Sequence, residues 1–205
     1  MHNRVGRSSG TRNRAFDVQK TFGSYACRCA AWQKMENNTN TDQEATFELL
    51  RLTPNKEGIV GELFFPGVLR ATVILAASRE SLQRTVTGLS SEYTEGSLQG
   101  DDQEPEEEID RFKMFEKNSF RSPKFWLQWN GTLLQNSSKS TEEASEIKIS
   151  EMGYVVFSGN DCRKFKGTIS CSLLGWKDVA ISGRKVVARS ESDRPVAWGS
   201  DGTTV

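Results

Sequence analysis

The sequence predicts an all-β protein, a single antiparallel β-barrel of about 8–9 strands, with a two-sheet sandwich or jelly roll as the competing architecture. Three observations lead there. The first is a pattern used three times: Ile59-Val60-Gly61-Glu62-Leu63, Trp129-Asn130-Gly131-Thr132-Leu133 and Phe165-Lys166-Gly167-Thr168-Ile169. Side chains alternate along a strand, so each glycine shares a face with its two large apolar neighbours. Glycine there weakens a strand unless the sheet coils sharply or another backbone comes close, and repeated use points to strong curvature. The second is a run of three strand-like segments at 147–158, 162–173 and 176–187, joined by Gly159-Asn160-Asp161 and Leu174-Gly175. Connections this short pair consecutive strands as a meander. The third is the near absence of helical apolar spacing elsewhere.

Taken in order, residues 1–20 lack apolar periodicity and read as a basic, disordered tail. Ser24–Lys34 alternates like a strand, with Tyr25, Cys27, Cys29 and Ala31 on one face. The polar stretch Glu36–Glu44 reads as a loop, and Ala45–Leu52 as a strand. Pro54-Asn55-Lys56-Glu57-Gly58 supplies turn chemistry before a strand at Gly58–Phe65. Pro66-Gly67 punctuates, and Val68–Ala77 is a fourth strand. Ser78–Arg84 admits a short helix, but Thr85-Val86-Thr87 pulls toward strand, so the segment stays open. Residues 90–110 form an acidic insertion; Arg111–Phe115 and Lys124–Leu134 read as the next strands, with a Ser/Glu-rich loop at Gln135–Glu146. The domain is thus 21–190, followed by a C-terminal tail at 191–205 in which Trp198 is a candidate anchor.

The chain has 205 residues, 36% of them apolar, with the polar excess concentrated in a few segments. A net charge of zero hides segregation. Arg4, Arg7, Arg12 and Arg14 stand in the first sixteen residues without an acid, whereas residues 90–110 carry nine acids and no Lys or Arg. No apolar run reaches the roughly 20 residues of a membrane span, and the N-terminus has no apolar signal core. The expectation is a cytoplasmic protein with reduced cysteines and no membrane span.

Chemistry is sparse. The one histidine, His2, lies in the tail, which argues against a Ser-His-Asp triad, a Cys-His pair or a His-rich metal centre. No phosphate-cradling glycine motif is present. Cys27, Cys29, Cys162 and Cys171 lack zinc-knuckle spacing and read as buried apolar thiols. Neither a metal nor a cofactor is expected. Glu48, Glu62 and Asp178 are the carboxylates within or beside strands, but an outward glutamate is the ordinary outcome of alternation.

The expected function is therefore a non-enzymatic binding module that holds an apolar small molecule inside the barrel or a protein partner on its surface. Leu63, Trp129, Phe165 and Ile169 share the motif face and are the candidate ligand-binding residues. Trp126 and Trp129 fall on opposite faces, so one of them is left for the surface. A cofactor-free isomerase or cyclase working by carboxylate acid–base chemistry is a rival, with no catalytic residue to name. The other rival is an RNA-binding, polyanion-binding or capsid-like assembly role. Its basis is the basic arm together with Lys and Arg framing aromatics at Arg111–Trp129 and Arg163–Arg189. Four arginines neutralise only about four phosphates, so nucleic acid should bind weakly through the arm.

Overall fold

Eight strands close on themselves in chain order, each antiparallel to the next: β1 (Gly23–Cys29), β2 (Thr46–Leu52), β3 (Gly58–Phe65), β4 (Leu69–Ala76), β5 (Lys124–Leu133), β6 (Lys148–Phe157), β7 (Lys164–Cys171) and β8 (Trp176–Ala188). Pairing of β8 with β1 completes the barrel. This computed structural model describes residues 16–36, 44–91, 122–134, 148–198 and 203–204. The basic arm, the acidic segment beyond Ser91 and the strand expected at Arg111–Phe115 lie outside the described residues.

Closure explains the motif glycines. Gly61, Gly131 and Gly167 all face inward, and none has a positive φ. A Cβ on Gly61 would run into the Glu48 carbonyl, one on Gly131 into that of Arg70, and one on Gly167 into that of Tyr154. Neighbouring strands bend over these positions, so the missing side chains permit tight coiling and leave no free volume.

Aromatic rings cluster in the interior. Tyr25 lies 6.3 Å from Phe47, 6.0 Å from Phe157 and 5.5 Å from Phe165, and Phe125 lies 5.9 Å from Phe157. One end is sealed by a short 3₁₀ turn, Val18–Thr21, whose flanking Phe16 and Phe22 are buried in the same cluster. Asp17 caps that turn by accepting from the Gln19 amide at 3.0 Å. At the other end stands α1 (Ala30–Glu36), which replaces the second half of the strand expected at Ser24–Lys34. Its residues are good helix formers, and a helix lets Trp32 cap the barrel. The indole packs 5.8 Å from Phe65 and donates to the Pro66 carbonyl at 3.2 Å.

A second apolar cluster lies on the outside of β2, β3 and β4, where Leu50, Val60 and Ile74 face away from the core. α2 (Arg79–Ser91) covers part of it with Leu82 and Leu89, Val86 packing alongside. This helix resolves the open segment after β4. Ser78 caps it, accepting from the Ser81 amide at 3.0 Å, and the buried positions recur at helical spacing. Residues 189–198 cover the rest as a strap. Its Ser192 amide donates to the Leu50 carbonyl at 2.9 Å, and Thr72 donates to the Ala197 carbonyl at 2.7 Å. Val196 and Trp198 are buried in the outer cluster, and β9 (Ala197–Trp198) pairs with β10 (Thr203–Thr204). Among the described residues no helix is long and apolar enough to cross a membrane.

Candidate functional site

The four residues that the sequence nominates as pocket lining come together inside the barrel, all of them 0–1% exposed. Leu63 lies opposite Phe47 and Ala71, Ile169 opposite Gly153 and Val179, and Trp129 opposite Val73. The Trp129 Nε1–H donates to the Ser170 carbonyl at 3.1 Å, so its one polar atom is engaged. Phe165 is hemmed by Phe47 at 5.3 Å and Phe157 at 6.1 Å.

The nominated carboxylates face out. Glu48 and Glu62 sit directly opposite each other on β2 and β3, and Arg194 of the strap bonds both, its Nη2 lying 2.9 Å from Glu48. Asp178 is exposed and holds Ser170. Glu151 is the strand carboxylate at an inward register position among the described residues, and it accepts the Ser172 amide at 2.8 Å. Sequence reading passed over it because β6 alternates imperfectly at its start.

Near the sealed end Tyr25 and Lys185 face each other across β1 and β8. The phenol donates to the Thr21 carbonyl at 2.6 Å, with the Cys162 carbonyl 3.0 Å away, and burial pushes its pKa up. The Lys185 amine lies 5.1 Å from the Tyr25 ring centroid and bonds the Lys20 and Phe22 carbonyls, and burial lowers its pKa. Both groups are committed to backbone partners. All four cysteines are unpaired and buried. Burial lifts the Cys27 and Cys171 thiols and takes Cys162 up to about 12. Among the described residues no three or more His, Cys, Asp or Glu side chains gather as a metal site would require.

The described surface does carry a cavity, a groove of about 680 Å³ across the outside of β7, β8 and β1. Strand alternation builds it. Lys164 of β7 pairs with Arg184 of β8, which pairs with Ala26 of β1; one step along, Lys166 pairs with Ser182, which pairs with Arg28. Trp32 and Gln33 of α1, Glu44, and Ser158 after β6 complete the wall. The four cations are exposed, and among the described residues none has a carboxylate within ion-pair distance. Like charges directly opposite on neighbouring strands repel, so Lys164 against Arg184 is an arrangement that an anion would relieve. Lys164, Lys166 and Arg184 belong to the basic-aromatic stretch visible in the sequence. Arg28 does not, although its outward position between Cys27 and Cys29 is legible from alternation. No family model, curated protein or solved structure matches the chain.

Proposed function

We propose that the protein is a non-enzymatic binding module that works from the outside of its barrel, holding an anionic partner in the groove of β7, β8 and β1. The observation that carries this reading is the direct pairing of Lys164 with Arg184, which have no carboxylate partner among the described residues and are flanked by Lys166 and Arg28 around the groove. Among the described lining residues four cations stand against one carboxylate, Glu44, and a predominantly positive concave surface concentrates counter-ions and speeds their capture. The dense ring packing around Phe165 and the engaged N–H of Trp129 support a structural role for the interior residues. Outward, ion-paired Glu48 and Glu62 give a carboxylate enzyme no support. A reducing, cytoplasmic setting fits the four unpaired cysteines.

Retention on immobilised heparin tests the proposal, because a chain of zero net charge has no reason to bind it without a local basic site. The protein should be retained at low salt. The double charge reversal Lys164→Glu with Arg184→Glu should elute in the void volume while keeping its thermal midpoint. Equal retention of both proteins, or none for either, defeats the groove.

A further inference from the structure

Resting on the groove reading above, we infer that the anion is a single-stranded nucleic acid, one of whose bases stacks on Tyr154 at the groove's edge. The barrel exterior continues from β7 to β6 and β5 without interruption. Val156 of β6 stands between Lys124 of β5 and Lys166 of β7 in one row of paired residues, and that row runs on through Ser182 to Arg28. The adjacent row holds Trp126, Tyr154 and Thr168. Four strand spacings separate Lys124 from Arg28, roughly 19 Å of surface bearing cations at both ends and Lys166 between them.

Tyr154 is 41% exposed, the most exposed aromatic among the described residues. Trp126 supports it edge-on, with ring centroids 6.4 Å apart, and is itself covered by the Arg79 guanidinium 4.1 Å from its centre. The tyrosine ring is therefore propped from one side and open on the other. Diagonal neighbours on a sheet lie about 7–8 Å apart, which puts Tyr154 within one nucleotide's reach of Lys166. An acidic peptide would use the cations and leave the ring idle. A nucleotide uses both, the base on the ring and the phosphate on the lysine. Nearby outward side chains, Met152, Val156 and Thr168, offer few polar groups to read a base edge, so binding should tolerate any sequence.

Fluorescence anisotropy with a labelled oligo(dU) of about a dozen nucleotides, within the span of known single-strand sites, tests this beside heparin retention. The wild type should bind, with a log–log salt slope of about −3 for four to five cations. Tyr154→Ala should weaken the oligonucleotide about tenfold and leave heparin retention unchanged. Tyr154→Phe should match the wild type, and Tyr154→Trp should bind at least as tightly. Heparin retention with oligonucleotide binding indifferent to all three variants overturns the stacking inference and leaves the groove standing. Tighter binding of polyglutamate than of oligo(dU) assigns the groove to an acidic protein and overturns it too. Failure of every polyanion to bind removes the groove and the inference together.

Discussion

The ring of Phe165 lies directly over the Cα of Gly183, its partner on the neighbouring strand. Both residues line the groove, so the aromatic core and the binding surface are separated by one thin stretch of wall. A Cβ at position 183 would run into the ring, which Tyr25, Phe47 and Phe157 crowd from the core side. Gly183→Ala should therefore destabilise by about 1–3 kcal/mol, as overpacking does. In a domain of this size a thermal melt should fall by about 2–4 °C for each kcal/mol. An unchanged midpoint would show that the ring yields.

The ring packing around Phe165 predicts that freshly purified protein carries no apolar passenger. Native mass spectrometry should give the mass of the polypeptide alone. A stoichiometric small mass, lost on substituting Trp129→Ala, would restore the interior pocket of Leu63, Trp129, Phe165 and Ile169.

Arg194 holds together two carboxylates that would otherwise face each other across β2 and β3. Removing it as Arg194→Ala should cost about 1 kcal/mol, since an exposed bridge is worth little and the repulsion left behind adds to the loss. In urea denaturation Glu62→Gln should recover part of that loss when combined with Arg194→Ala. No recovery would mean that the carboxylates do not sense each other.

Alkali should unfold this protein before it attacks the chain. Burial holds the Cys162 thiol up to about 12 against an ordinary 9.0, and it raises Cys27 and Tyr25 as well. Above about pH 9 the unfolded chain releases protons that the folded one keeps. Stability complete below pH 9 is thus lost as pH rises toward 12, by at most about 1.4 kcal/mol per pH unit for each group. Lys185 opposes this: its lowered pKa makes the folded state lose a proton first, which adds stability as pH climbs toward 10.5. Counting Cys171, which burial also raises, four acids outweigh one base. Urea midpoints should fall steadily above about pH 9, and less steeply for Cys162→Ala. A flat profile would contradict the burial of these groups.

Strand β3 was legible to the residue, and β5 to β8 nearly so, because alternation and turn chemistry are local properties of neighbouring residues. The inward glycines announced a coiled sheet for the same reason. α1 was not legible: Ser24–Lys34 alternates like one strand, and only the barrel mouth offers Trp32 the Phe65 ring that rewards a helix. Apart from its anchor Trp198 the strap was hidden likewise, since residues 189–198 have no periodicity of their own and take their order from an apolar patch on β2, β3 and β4.

By itself, then, the sequence determined that the chain would make curved antiparallel strands and which side chains would alternate inward. Tertiary structure decided what lies beside what. Pairing β8 with β1 joins residues from opposite ends of the domain, and it sets Arg28 opposite Ser182, across β8 from Lys166, to complete the groove. Such a contact has no local signature, because closure is driven by satisfying two strand edges and burying one shared core rather than by preferences of the residues that end up side by side.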